Sequence, residues 1–304
     1  MQKRVSAIVI HFGDPSLTTA LVRQLLALPS APEVIVVDNA AAIPFDADPY
    51  DGIRLLRLPE NAGYGYACNR GAEMAEGDFL FILNNDLIFP ADPIPALVKA
   101  LEGTEHAAIA GPALSFPDGR FQLSSGEQPT LYNEFLERRR QQQSRGSGGA
   151  AYDRRRKQAM QAFEPYWVTG ACMLIRRAAW QQVSGFDEAY FFYFEDVDLC
   201  TRLRRAGWTI LYQPEVTVLH HGGGSDPLHN PRIVLSYRRE QLRYYARYNG
   251  LLSWLFLRRY LLWKCSRMER AAQISPELAN ELRTVIRKFS RRDERTSRNI
   301  KEKT

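Results

Sequence analysis

Three short stretches carry residue types suited to chemistry rather than packing. In "FLFILNNDLIF" (79–89), five large apolar residues run into Asn84, Asn85 and Asp86 before the apolar run resumes. A carboxylate buried in such a strand without a partner would cost several kcal/mol, so Asp86 must emerge at an edge where water, a ligand or a cation meets it. As an alternative, NND is a polar strand exit. In "YFFYFEDVDLC" (190–200), Glu195, Asp196 and Asp198 fall within four residues behind an aromatic run. The dipole at a helix start accounts comfortably for one acid; three crowded together are more than it explains. In "TVLHHGGGS" (217–225), His220 and His221 end an apolar stretch, where a neutral imidazole can ligate a metal or simply pack.

These groups need elements to hold them. "VSAIVI" (5–10), "EVIVVDN" (33–39), "IRLLRL" (53–58) and "DFLFILNND" (78–86) have the apolar character of buried strands. "SLTTALVRQLLAL" (16–28), with Ser16 as N-cap, and "YGYACNRGAEMAEG" (64–77), ended by Gly77, are predicted helices. Further on, "CMLI" is a predicted strand, "RAAWQQV" and "DVDLCTRLRRAG" are helices, and strand returns around "TVLHH". The alternation predicts right-handed crossovers and a mainly parallel, Rossmann-like α/β sheet flanked by helices. Ligands bind such sheets outside the carboxyl ends of the strands, which is where Asp38 and Asp86 fall. "DN" at 38–39 is also ordinary turn chemistry. The glycines of "NAGYGYACNRG" form neither GxGxxG nor a P-loop, which argues against a dehydrogenase or an NTPase.

The chain has 304 residues, enough for one large or two modest domains. Its four cysteines, Cys68, Cys172, Cys200 and Cys265, show no metal-type spacing and suit a reducing cytosol. The apolar run near the start is too short for a signal sequence, and no stretch nears the roughly 18 apolar residues of a bilayer span. A cytoplasmic protein is expected. The net charge of +6 is uneven: from Tyr237 onward, 18 Lys and Arg face 7 Asp and Glu, while the remainder carries 22 against 27.

In order along the chain, Asp38, "ENAGYGYACNRG", "FLFILNND", "VTGACMLIRR", "GFDEAYFFYFEDVDLCTRLRRAGW" and "VTVLHHGGGS" resemble the blocks of family 2 glycosyltransferases, most closely their bacterial rhamnosyltransferase-type branch. The resemblance covers roughly residues 4–225. It implies a GT-A fold, a nucleotide-diphosphate sugar donor, Mg²⁺ or Mn²⁺, and inversion at the anomeric carbon. By the same resemblance Asp86 holds the metal with His220 as a further ligand, and Asp196 is the general base with Glu195 beside it. His11, Asp38, Asn39, Asn61, Gly63, Asn69, Asn84, Asn85 and Asp86 would line the nucleotide-sugar site. Asn84 and Asn85 depart from the commoner acids of that motif. The expected reaction moves a sugar, with rhamnose from dTDP-rhamnose as first choice, onto a saccharide or polyprenyl-diphosphate-linked acceptor in cell-surface polysaccharide synthesis. Alternatives are a family 2 transferase for galactofuranose, glucose or N-acetylglucosamine, or a non-catalytic nucleotide-sugar binder.

The expected domains are a catalytic part, 1–230, with a mobile insertion at 118–164, and a helical basic extension, 231–304. "LLSWLFLRRYLLWKCSRMER" (251–270) mixes bulky apolar residues with arginines, as suits a helix lying on an anionic membrane surface, or one packing on the protein or on a second subunit. A peripheral position at the inner face of the cell membrane follows from the first choice, and an oligomer is compatible with the second. The basic tail lacks RRM, OB or zinc signatures and the body is acidic, so nucleic acid is not the expected partner.

Overall fold

The computed structural model describes residues 4–136, 161–222 and 231–291. They divide into two compact units, one of residues 4–127, 161–191 and 195–222, the other of residues 128–136, 192–194 and 231–291. The tip of the expected insertion, 137–160, and the end of the basic tail, 292–304, lie outside the described residues. Residues 118–136 carry strand and helical structure.

The first unit opens with β1 (Val5–His11), α1 (Pro15–Ala27), β2 (Glu33–Asp38), β3 (Ile53–Arg57), α2 (Tyr64–Met74) and β4 (Phe79–Asn84). After β5 (Leu87–Ile88) come α3 (Ile94–Glu102), β6 (Ala107–Ser115), β7 (Phe121–Gln122) and β8 (Ser125–Gly126). It closes with β9 (Trp167–Val168), β10 (Cys172–Arg176), α4 (Arg177–Gln182), α5 (Glu195–Arg205) and β11 (Thr209–His220). The main sheet runs β3-β2-β1-β4-β10-β6-β11-β5, with β7 beside β6.

Strand alternation explains why both faces are covered. Ala7 and Val9 of β1 join a core with Leu21, Val22 and Leu25 of α1 and Leu97 and Leu101 of α3. Ile8 and Ile10 face the other way, into a core with Ala67 and Cys68 of α2 and Leu199, Cys200 and Leu203 of α5. Successive side chains of a strand point to opposite faces, so an unbroken apolar run is what a sheet between two helical layers requires.

Three details depart from the sequence reading. The N-cap of α1 is Asp14, whose Oδ1 accepts from Ser16 N at 2.8 Å, because Pro15 occupies the first helical turn. Helix α2 ends at Met74 rather than Gly77, and Gly77 N instead donates to Ser6 Oγ at 2.8 Å. The sheet is mixed: β1 pairs in parallel with β2 and β4, and β6 with β11, but β10 runs antiparallel between β4 and β6. An apolar run does not encode strand direction, and β10 pairs antiparallel with two strands far from it in sequence. Its reversal matters for function, because it brings the start of β10 to the edge where β4 ends, with Cys172 opposite Leu83.

In the second unit, α6 (Pro231–Tyr248), α7 (Leu251–Arg270) and α8 (Pro276–Lys288) pack together. Phe194 lies against Tyr237 and Tyr244, with ring centroids 5.3 and 5.6 Å apart. Glu134 Oε1 accepts from Tyr245 OH at 2.7 Å and Gln241 Nε2 at 2.9 Å. Among the described residues no helix is long and apolar enough to cross a membrane. All four cysteines are buried and unpaired.

Candidate active site at one edge of the sheet

Asp86 lies in the two-residue turn between β4 and β5, where the buried strand has just ended. Its Oδ2 accepts from Gly222 N at 3.0 Å, and its carbonyl accepts from His221 N at 3.1 Å, so the residues after β11 are pinned to this turn. The same pairing sets His220 opposite Leu87 and brings its Nε2 to 3.1 Å from Asp86 Oδ1. Burial works to raise the carboxyl's pKa, but the His220 imidazole and the Gly222 N–H outweigh it, and the group lies below its ordinary range. Asp86 is therefore ionised at neutral pH.

The imidazole's second nitrogen is also placed. Nδ1 stands 2.9 Å from Gln122 Oε1 on β7, and Asn84 Nδ2 stands 3.4 Å from Nε2. Both ring nitrogens thus stand within hydrogen-bond distance of an oxygen acceptor, Gln122 Oε1 for Nδ1 and Asp86 Oδ1 for Nε2. A proton shared between Nε2 and Asp86 Oδ1 holds this pair together at 3.1 Å, and a divalent ion would take that proton's place with Nδ1–H kept on Gln122. Ligands at right angles on a six-coordinate Mg²⁺ with bonds of about 2.1 Å are about 3.0 Å apart. The pair thus fits a divalent ion. No cluster of three or more His, Cys, Asp or Glu is arranged to hold a metal among the described residues, so the remaining positions would fall to ligand oxygens and water, as is usual for Mg²⁺.

Asp196 is reached from the other side. Its Oδ2 accepts from Gly170 N at 2.9 Å and its Oδ1 from Val197 N at 2.8 Å. Gly170 O accepts from Tyr64 OH at 2.7 Å, and the neighbouring Ala171 O accepts from Asn84 N at 2.8 Å. A continuous set of hydrogen bonds therefore runs from the start of α5 through the entrance of β10 to the end of β4. Burial raises the Asp196 pKa against the two N–H bonds that lower it, although part of the side chain still faces solvent. A desolvated but accessible carboxylate can take a proton from a hydroxyl. Glu195 is buried, and Asp198 is fully buried with Oδ2 accepting from Arg202 Nε at 2.7 Å, an i,i+4 ion pair within α5.

The β2 end supplies a third group. Asp38 uses one oxygen for Ala41 N at 3.0 Å and the other for Phe45 N at 3.1 Å, so it ties down the loop that follows it. Asn39 Nδ2 donates to Asn61 Oδ1 at 3.1 Å, and Gly63 N donates to that same oxygen at 3.0 Å. Asn39 Oδ1 is buried with no hydrogen-bond partner, which leaves an acceptor for a ligand's N–H or O–H. Gly63 has φ +113°, and a Cβ there would lie 2.6 Å from Phe191 O. That carbonyl accepts from Tyr64 N at 2.9 Å, and the close approach requires glycine.

Three of the expected ligand-lining residues make hydrogen bonds within the protein. His11 is fully buried, with Nε2 2.9 Å from Ile43 O and Nδ1 2.7 Å from Thr18 Oγ1. Ile43 O can only accept, so Nε2 carries the proton, Thr18 donates to Nδ1, and the ring braces the β1 and β2 loops. Asn69 donates to Phe186 O and Glu188 Oε1 and accepts from Phe186 N, each at 2.9 Å, and so clamps the 186–188 loop. Asn85 turns away from Asn84 and donates to Thr18 Oγ1 at 3.0 Å. Tyr64, Gly170, Thr18 and Gln122 were not singled out from sequence. Tyr64 and Gly170 lie inside the quoted blocks, whereas Thr18 and Gln122 carry no signal beyond their polarity.

Comparison with known proteins agrees with this architecture. The family model "Glycosyl transferase family 2" matches residues 6–183, and "Glycosyl transferase family group 2" matches residues 150–279. N-acetylglucosaminyl-diphospho-decaprenol L-rhamnosyltransferase of Mycobacterium tuberculosis is 34% identical over 241 residues, 72% of this chain and 77% of the relative. Among solved structures, GalNAc-T7 with UDP, GalNAc and Mn²⁺ superposes with a TM-score of 0.57 at 13% identity, covering 93% of this chain and 54% of that one. The mannosyltransferase PcManGT of Pyrobaculum calidifontis, with GDP-Man and Mn²⁺, gives a TM-score of 0.53 at 14% identity, covering 94% of this chain and 85% of that one. At such identities the structures speak for the fold, which is GT-A. The matched family and the sequence relative together place this chain in glycosyltransferase family 2.

Proposed function

We propose that this glycosyltransferase moves L-rhamnose from a nucleotide-diphosphate donor, dTDP-rhamnose, to a polyprenyl-diphosphate-linked saccharide at an anionic membrane surface, with inversion. The rhamnosyl and lipid-linked parts of the reading rest on the 34% identical relative, whose name carries both. The chemistry rests on one observation: Asp86 with His220, and Asp196, are joined through Asn84, Ala171 and Gly170 at a single sheet edge.

In this reading Asp86 and His220 hold a divalent cation, and Gln122 fixes the imidazole so that Nε2 is the ligating atom. When bound, that ion supplies charge neutralisation to the leaving diphosphate. Asn39 Oδ1 accepts from the donor's base or ribose, beside Asp38 and Asn61. Asp196 takes the proton of the acceptor hydroxyl as its oxygen bonds to the anomeric carbon; the bond to the diphosphate breaks on the opposite side and the nucleoside diphosphate leaves with the electron pair. The Gly170 and Val197 N–H groups fix the carboxylate's orientation, and its raised pKa makes it a better proton acceptor than an exposed Asp.

The test is turnover of dTDP-rhamnose, UDP-glucose, UDP-N-acetylglucosamine, UDP-galactofuranose and GDP-mannose with N-acetylglucosaminyl-diphospho-polyprenol and Mn²⁺. Rhamnosyl product from dTDP-rhamnose alone supports the proposal. Product from another donor instead overturns the sugar assignment, and loss of a phosphosugar rather than transfer of a glycosyl group overturns the reaction.

A further inference from the structure

Helix α7 is amphipathic in an unusual way: both of its long faces are apolar, and only one of them is covered. Trp254, Leu257, Leu261 and Cys265 are buried, and Cys265 Sγ donates to Ala279 O of α8 at 3.3 Å. Arg258 fastens the same side, donating through Nε to Ile286 O at 3.0 Å and through Nη2 to Arg287 O at 2.6 Å, which satisfies carbonyls at the end of α8. These contacts fix the rotation of α7 within the second unit. The outward stripe is thereby also fixed. Leu252, Phe256, Arg259 and Trp263 follow each other at helical spacing with Leu255 alongside, and Leu252, Phe256 and Trp263 are 82%, 61% and 51% exposed.

The charge on this helix is one-sided. Arg259, Lys264, Arg267 and Arg270 are basic, and Arg267 lies over the Trp263 ring, 5.6 Å from its centroid. The helix's one acid, Glu269, is engaged by Arg283 of α8. A stripe about 17 Å long from Leu252 to Trp263, eleven steps at 1.5 Å each, apolar but for Arg259, flanked by further cations and ending in an exposed Trp, complements a bilayer surface with anionic headgroups. The chain has no helix among the described residues that could cross that bilayer.

We infer that the Leu252–Phe256–Trp263 face of α7 lies in the plane of an anionic membrane, with Arg259, Arg267 and Arg270 at headgroup level. This deepens the lipid-linked acceptor reading above and rests on it for its purpose, since a face held in the membrane plane keeps the enzyme where a polyprenyl acceptor is found. The binding itself stands on the helix alone.

The test is co-sedimentation of the full chain with sucrose-loaded vesicles of phosphatidylcholine alone and with 30% phosphatidylglycerol, beside light scattering of the vesicle-free protein. The expected result is partitioning onto the anionic vesicles that falls at least about tenfold for Phe256→Ser/Trp263→Ser and severalfold for Arg259→Glu, and that weakens with salt. Circular dichroism of each variant establishes that the helices persist. Asp196→Asn partitions like the wild type, so failure of the transfer reading leaves this result standing. Wild type that stays off anionic vesicles overturns the inference, as does undiminished binding by Phe256→Ser/Trp263→Ser. A vesicle-free dimer that the same double variant dissociates also overturns it, because the occupant of the face is then a second copy of the chain.

Discussion

Replacing Asn69 separates a structural reading from a ligand-binding one. The family resemblance places this residue near the donor, whereas the structure uses its whole amide on the 186–188 loop. In Asn69→Ala the N–H and C=O of Phe186, a residue 2% exposed, lose their partners. An unsatisfied buried group costs about 1–3 kcal/mol, and two of them about 2–6. Alanine returns roughly 0.6 kcal/mol in helix propensity at this position in α2. Glu188 is not stranded, because Arg70 Nη2 still reaches its Oε1 at 3.0 Å. A net loss of about 3 kcal/mol lowers the melting temperature by roughly 6–12 °C in a unit of this size. Asn69→Asp should be at least as damaging, since it removes the donor to Phe186 O and sets a second carboxylate against Glu188. Thermal unfolding by circular dichroism reads the loss, and donor KM well below the transition should stay within about twofold of wild type. An unchanged melting temperature with a strongly raised donor KM would refute the reasoning and return Asn69 to the ligand site.

Other consequences follow from neighbouring contacts. Gly63→Ala places a Cβ 2.6 Å from Phe191 O, so it should lose stability by about 1–3 kcal/mol from the disfavoured φ alone and raise donor KM, both readable in one purified variant. Gln122→Leu removes the partner of His220 Nδ1; Mn²⁺ affinity, followed by electron paramagnetic resonance, should weaken by roughly 10–100-fold, as is typical when a ligating histidine loses its outer partner. Because burial raises the Asp196 pKa and a base must be deprotonated, kcat/KM should fall as pH drops through a value above the ordinary carboxylate range. A pH profile flat down to the ordinary range would deny Asp196 that role.

What the sequence revealed, and what it hid, divides along physical lines. Strands β1, β2 and β4 were legible because burial on both faces demands unbroken apolar runs, and Asp86 was legible because a core strand cannot keep a bare acid. The reversed direction of β10 was not, since it depends on pairing partners 60 to 100 residues away. Gln122 sits on a two-residue strand with no periodicity to notice, yet it determines which nitrogen of His220 faces Asp86. His11 and Asn69 match the family by residue type, while their hydrogen bonds to Thr18, Ile43 and the 186–188 loop come from tertiary packing that no motif displays. Asp14 displaced Ser16 as cap because proline in the first turn moved the cap two residues earlier.

The central claim is that donor capture and proton removal belong to different carboxylates at one edge of the sheet. Calorimetric titration of dTDP-rhamnose in the presence of Mn²⁺, paired with a transfer assay on the same preparations, tests it most directly. The account predicts that Asp86→Ala loses metal-dependent donor binding, while Asp196→Asn binds the donor as the wild type does and transfers nothing. Wild-type turnover by Asp196→Asn, or undiminished metal-dependent binding by Asp86→Ala, would contradict it.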